Sequence, residues 1–212
     1  VVHHRTFRYG DPDDAFARAD KVVKLDWRFP RYSSTPMETY GVIAQFERQP
    51  DRYTIWSNFQ GPFILHALMT GALGVAGNRL RLITAPHSGG SFGIKQAMFP
   101  YMVLIAACAK IMGCPLKWYE DRLEHLVGSS AAADRADKVE AAFANDGELL
   151  GLRFDNIVNV GAFVRAPEPA SVYRMHAASN GCYRVKNIFV ENRLVVTNMT
   201  PIGLNRGYGG PQ

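Results

Sequence analysis

Arg79-Leu80-Arg81-Leu82-Ile83-Thr84-Ala85-Pro86-His87-Ser88-Gly89-Gly90-Ser91-Phe92-Gly93-Ile94-Lys95-Gln96 is the stretch on which the reading of the fold turns. Its first six residues alternate polar and apolar with period two, the pattern of a half-buried strand. Glycines then surround one aromatic residue, with a lysine close behind. The apolar run Met98 to Met112, broken by Pro100 and Lys110, is too short for a membrane span and is expected as a buried helix, which Gln96 opens. Strand, glycine loop and helix in this order aim backbone N–H groups at an anion. It is not a P-loop, because G-K-[ST] is missing, and G-x-G-x-x-G is missing as well. A second segment, Leu204-Asn205-Arg206-Gly207-Tyr208-Gly209-Gly210-Pro211-Gln212, repeats the theme of glycines, one aromatic and one cation. Either loop alone reads more readily as an ordinary surface turn. Together they suggest a polyanionic cofactor, since glycine lets the backbone approach a ligand and turn its N–H groups toward oxyanions.

The chain around these loops alternates helices with mixed strands. Asp11-Pro12-Asp13-Asp14 is an acidic start with proline in the first turn and predicts a short helix. Val22 to Phe29, Val42 to Phe46 and Tyr53 to Ser57 read as strands. Gly61 to Val75 reads as a helix stopped by Gly77-Asn78, and Pro115 to Glu120 as a strand. Residues 134–144 fit either helical spacing or a strand. Asn145-Asp146-Gly147 is a hairpin signal and favours strand, turn, strand, with Leu149 to Val160 as the second arm. In the β-rich stretch from Tyr183 to Met199, Ile188, Val190, Leu194 and Val196 share parity. The expected class is mixed α and β, over one domain spanning residues 1–212, with a subdomain break near residues 129–134.

The 212 residues are 47% apolar and 20% charged, ordinary for a globular chain able to bury a sizeable core. The net charge of +5 raises nucleic-acid binding as an option, but no run of Lys or Arg concentrates it, so a mildly basic enzyme is preferred. Cys108, Cys114 and Cys182 match no zinc or iron–sulfur spacing. Their use fits a reducing compartment, hence a cytoplasmic location, with Cys108 read as a small core residue. The start at Val1, without Met or a signal-peptide pattern, leaves a processed chain, a subunit or an excised fragment open.

Several motifs then fall in one order: Pro36-Met37-Glu38-Thr39, Trp56-Ser57-Asn58-Phe59-Gln60-Gly61-Pro62, Gly89-Gly90-Ser91-Phe92-Gly93-Ile94-Lys95 and Lys117-Trp118-Tyr119-Glu120-Asp121-Arg122. Cys182-Tyr183, Asn187-Ile188, Thr197-Asn198 and Arg206-Gly207 follow. This series resembles the molybdenum-binding region of the xanthine oxidase/aldehyde oxidase family of molybdenum hydroxylases, and covers nearly the whole chain. The resemblance implies the mixed α/β molybdenum-cofactor domain. It also implies hydroxylation of an aldehyde or N-heteroaromatic small molecule with oxygen taken from water, chemistry that the cofactor supplies and the protein positions.

Residue by residue, the resemblance gives Gln60 a hydrogen bond to an oxygen on molybdenum. It puts the Phe92 ring beside the substrate and Gly90, Ser91 and Gly93 in the loop around the cofactor. Arg206, with Gly207, Tyr208 and Gly209, supplies a second cofactor loop, in which a guanidinium suits oxyanions. Gln96 stands where purine-oxidising members carry a substrate-binding glutamate, and Arg174 at the spacing of a substrate-binding arginine. Ser91 and Ile94 depart from positions that are commonly glycine, and Ile94 is expected to add bulk near the pocket. The family's carbon monoxide dehydrogenases carry a copper-bridging cysteine where Gly207 stands, which argues against that reaction. The general-base glutamate of the family has no counterpart here, since Glu38, Glu120, Glu124 and Glu168 lack its G-E context. The implied assembly has molybdopterin, as the cytosine dinucleotide in a bacterium. The base comes from the remaining large-subunit region or a second molybdopterin chain, and 2Fe-2S and FAD sit on other chains or regions. A non-catalytic structural or assembly relative that keeps the fold is the alternative.

Overall fold

A computed structural model of the chain describes residues 1–212 except 98, 132–133, 167, 171–178, 204 and 208–212. The chain divides into two compact units. One comprises residues 33–130 with 204–206, the other residues 1–32, 131–203 and 207–212. Both combine helices with sheet, the mixed class expected.

The first unit is built on a four-stranded sheet of β3 (Gly41–Glu47), β4 (Arg52–Ser57), β5 (Leu80–Thr84) and β6 (Leu116–Tyr119), in the order β5-β4-β3-β6. β4 and β5 are parallel, whereas β3 is antiparallel to both of its neighbours. Parallel neighbours need a crossover, supplied here by α2 (Pro62–Leu73). Gly74, at φ +65°, ends α2 three residues before the Gly77-Asn78 stop that the sequence suggested; residues 77–79 form a separate 3₁₀ turn. A left-handed residue lets the following N–H groups return to the last helical carbonyls, as Gly74 N–H and Val75 N–H do to Gly71 and Thr70.

α4 (Phe99–Met112) lies on the sheet through Met102, Ala106 and Ala109, all fully buried. Two of these three are alanines, so helix and sheet approach closely. Val42, Ala44, Ile55, Leu65, Met69 and Leu80 complete this core. The expectation of a helix buried all round is not met: Leu104, Ile111 and Met112 are exposed, and Cys108 is only half-buried. Nor does Gln96 open a helix. A short turn, α3 (Ile94–Ala97), starts inside the glycine loop, where Ile94 N–H donates to Ser91 O and Gln96 N–H to Gly93 O. Among the described residues no helix is long and apolar enough to cross a membrane. α5 (Arg122–Gly128) was not anticipated. Its start is a capping box in which Asp121 accepts from Glu124 N–H while Glu124 accepts from Asp121 N–H.

The second unit is a five-stranded sheet of β1 (His3–Tyr9), β2 (Lys21–Phe29), β7 (Arg135–Phe143), β8 (Leu149–Gly161) and β9 (Asn187–Val196), in the order β1-β9-β8-β7-β2. α1 (Pro12–Ala17) is capped by Asp11 and joins β1 to β2. Asn145-Asp146-Gly147 does turn a hairpin, with Gly147 at φ +90° and β7 antiparallel to β8. Ile188, Val190 and Leu194 alternate onto the buried face as their parity required, together with Asn192. Val196 does not, being exposed at the strand end opposite a register shift in β8. β1, in which only His3 and Phe7 are partly buried, gave no strand signal.

Candidate functional site at one end of the four-stranded sheet

The topology of the first unit brings the motifs together. Because β4 and β5 run parallel, their exit segments leave the same end of the sheet, and these carry Gln60 and the glycine loop. β3 runs the other way, so the segment that enters it, with Glu38, lies at that end too. β6 is antiparallel to β3 and ends there with Glu120-Asp121-Arg122. Four segments far apart in sequence thus meet beyond one sheet edge, the carboxyl end of the parallel pair, where open α/β sheets commonly bind ligands.

Glu38 and Lys95 hold the loop. Lys95 Nζ lies 2.6 Å from Glu38 Oε2, with only 1% of its side chain exposed. The same oxygen accepts Gly89 N–H at 3.0 Å and Ser88 Oγ at 3.3 Å. Partial burial works to raise the Glu38 pKa. Hydrogen bonds from Lys95, Asn58 and Gly89 N–H, with the Lys95 charge, outweigh that and lower it from 4.5 to about 2. A Cβ on Gly89 would stand 2.4 Å from Glu38 Cβ, so only glycine allows this approach. Arg122 in turn donates to the carbonyls of Pro36 and Met37 at 2.8 Å each, fixing the backbone just before Glu38. Glu120 and His125 form a buried pair at 2.8 Å, and Tyr40 N–H also donates to Glu120.

Of the remaining loop groups, Phe92 is exposed and Ser91 half-buried. Ser91 Oγ donates to Gln60 Oε1 at 2.7 Å and accepts Gly93 N–H and Lys95 N–H at 3.3 Å each. The Gln60 –NH₂ has no hydrogen-bond partner among the described residues, and the side chain is exposed. Phe92 sits at φ +53° with 45% of its surface exposed. An aromatic residue in the left-handed region is strained and uncommon, and exposure to this degree excludes a role in core packing. Gly90 and Gly93 flank it at φ +99° and +100°. Ile94 is fully buried, so the bulk expected near a pocket points into the core instead. Gln96 is buried as well, with its amide against Gly61.

Asn205 is hydrogen-bonded by Ser34 Oγ, and Arg206 is exposed with no partner among the described residues. Gly207 has φ +70°. Tyr208, Gly209 and Arg174 lie outside the described residues. A cavity of about 740 Å³ in the other unit is lined by none of the described candidate site residues. A smaller cavity of about 260 Å³ in the first unit is lined by Glu38, Trp56, Asn58 and Trp118 among others. Sequence reading missed that Lys95 pairs with Glu38 and that Asn58 braces it, since nothing in their spacing signals either contact.

The exposed amide of Gln60 and the left-handed turn at Gly90 offer hydrogen-bond donors and a close approach to an oxygen-rich ligand. Comparison with known proteins agrees. The model of the molybdopterin cofactor-binding domain matches residues 1–212 in full, and the chain belongs to this family of molybdenum hydroxylases. It is 34% identical to the gamma subunit of the 6-hydroxypseudooxynicotine dehydrogenase complex of Paenarthrobacter nicotinovorans, over 95% of this chain and 25% of that one. It is 29% identical to the carbon monoxide dehydrogenase large chain of Hydrogenophaga pseudoflava, over 95% and 26% respectively. Quinoline 2-oxidoreductase from Pseudomonas putida 86 superposes with a TM-score of 0.90 at 29% identity, covering 99% of this chain and 27% of that one. The chain thus spans about a quarter of the length of these relatives.

Proposed function

We propose that this chain forms one wall of the active site of a molybdenum hydroxylase that acts on an N-heteroaromatic small molecule, with aldehydes as the second substrate class. The observation that carries the reading is the pairing of an outward amide on Gln60 with an exposed, backbone-strained Phe92 on the adjoining loop. When bound, molybdopterin with molybdenum supplies the redox chemistry. Gln60 would donate a hydrogen bond to it, Gly90 would leave room for its approach, and Arg206 would offer a fork of donors to its anionic groups. The Phe92 ring packs on a flat substrate. The cytosine dinucleotide form is favoured by the bacterial source of the relatives compared above. Substrates of the heteroaromatic class are favoured by relatives named for quinoline and for a nicotine derivative. Gly207, in place of a copper-bridging cysteine, disfavours carbon monoxide. Gln96 and Arg174 are assigned to substrate selectivity.

The general base is assigned to a region outside these residues. Glu38 is held ionised by Lys95, Glu120 is buried against His125, and Glu124 caps α5. Glu168, in the other unit, is buried and electrostatically coupled to Arg135. Iron–sulfur and flavin centres are assigned to partner regions or subunits, in a cytoplasmic enzyme. The alternative of a non-catalytic relative loses support from the departures at Ser91 and Ile94, because one is bonded within the loop and the other is buried. The test is Gln60→Ala in the complete enzyme. A lost charge-assisted hydrogen bond is worth roughly 1.5–3 kcal/mol, so kcat should fall about 10- to 150-fold with KM little changed. Unchanged kcat at full molybdenum content refutes the reading.

A further inference from the structure

We infer that Ser91 is a positioning residue that fixes Gln60 as a hydrogen-bond donor toward the cofactor; this deepens the proposed function and rests on it. A serine hydroxyl has one proton to give and two lone pairs to accept with. Both acceptor sites on Ser91 Oγ are engaged, by Gly93 N–H and Lys95 N–H at 3.3 Å each. Its remaining capacity is the O–H itself. The atom of the Gln60 amide 2.7 Å away must therefore be the oxygen, because an –NH₂ there would set donor against donor. With the oxygen tied, the two N–H bonds are left for the outer side of the loop. An exposed glutamine otherwise rotates its amide freely and offers donor and acceptor alike. The same two backbone N–H groups would bind an anion if the hydroxyl were absent. Ser91 thus closes a competing anion site and orients the neighbouring amide. Backbone geometry contributes too: Gly93 at φ +100° turns its N–H back to Ser91, and Lys95, anchored on Glu38, sets the second N–H.

The experiment uses the complete enzyme with Ser91→Ala, Ser91→Cys, Ser91→Thr and Gln60→Ala. It measures molybdenum content, kcat and KM, and the electron paramagnetic resonance spectrum of the part-reduced metal. Expected are full molybdenum content, kcat lowered about 2- to 10-fold in Ser91→Ala and Ser91→Cys with KM unchanged, and a spectrum shifted in the direction that Gln60→Ala shifts it. Ser91→Thr, which keeps the hydroxyl, restores both readouts. If Gln60→Ala alters the spectrum and the Ser91 variants do not, the positioning role is overturned while the proposed function stands. If Gln60→Ala is itself silent at full molybdenum content, the proposed role of Gln60 fails and this inference with it. Loss of molybdenum from both Ser91→Ala and Ser91→Cys also overturns it, since the hydroxyl would then hold the cofactor loop instead of the amide.

Discussion

Replacing Lys95 by methionine tests the internal support of the loop. The change keeps the length of the side chain and removes the ammonium from Glu38 Oε2, leaving Gly89 N–H, Ser88 Oγ and Asn58 as partners of that carboxylate. Glu38 is lowered from 4.5 to about 2, which corresponds to roughly 3 kcal/mol of stabilisation of its ionised form at neutral pH. The backbone and Asn58 bonds survive the substitution, and 29% of the carboxylate side chain is open to water. The expected loss is therefore about 2 kcal/mol. The reciprocal change, Glu38→Gln, strands an ammonium that is only 1% exposed and should cost more, about 3–5 kcal/mol. The double variant should cost less than the sum of the two, because neither charge is then left alone. Hydrogen exchange of the peptides covering residues 85–97 in the full-length protein reads the effect where it acts. A 2 kcal/mol loss of local stability speeds exchange about 30-fold in Lys95→Met. The pH dependence has a definite sign. A carboxylate with a lowered folded pKa stabilises above its unfolded value, and the benefit is lost as pH falls from about 4.5 toward about 2. That acid-side loss should shrink in Lys95→Met. Wild-type exchange in the variant, or Lys95→Met more damaging than Glu38→Gln, would refute the argument.

Phe92→Gly removes a left-handed non-glycine residue and little buried surface. Its unfolding free energy should hold or rise by up to ~1 kcal/mol while kcat/KM falls at least about tenfold; a large loss of stability would show that the ring packs after all. Gly89→Ala places a methyl 2.4 Å from Glu38 Cβ, so the purified enzyme should lose molybdenum, and normal content would show that the loop can give way. Asp137 is raised from 3.8 to about 6, chiefly by burial, which Arg135 opposes and Asp155 reinforces. The folded state holds that proton more tightly, so stability falls as pH rises from about 4 to about 6. Asp137→Asn should raise the unfolding free energy from urea titration at pH 7 by about 1–2 kcal/mol and leave it near wild type at pH 4; an equal gain at both pH values would assign it to something other than titration.

The parts of the site that lie within one segment were legible in the sequence. The glycines around Phe92 announce positive φ, whereas Gln60 was singled out only by the family resemblance. What joined them was not legible. It depends on β4 and β5 running parallel, which α2 makes necessary but no local pattern states. The Glu38–Lys95 pair was hidden for the same reason, being a contact between loops at the two ends of unrelated motifs. In the fold, the hairpin at Asn145-Asp146-Gly147 was plain because its turn chemistry is local. β1 was not, because His3, His4, Arg5 and Arg8 leave too few apolar residues for a burial pattern. α5 carried a readable Asp121/Glu124 cap, but Leu123, Leu126 and Val127 are exposed and supplied no core-facing periodicity.

The division of the chain also has a consequence in time. Apart from the short return at residues 204–206, the unit with the motif end is a single unbroken stretch, residues 33–130. A ribosome adding roughly 5–20 residues per second has released every partner of Glu38, Gln60 and Lys95 before β7 emerges. β1 must wait instead for β9, since His3 pairs with Leu194. The cradle is therefore synthesised whole before the sheet of the other unit has all its strands. A nascent protein stalled past residue 130 would already carry the ion pair and the glycine turns, while its first strand still lacked a neighbour.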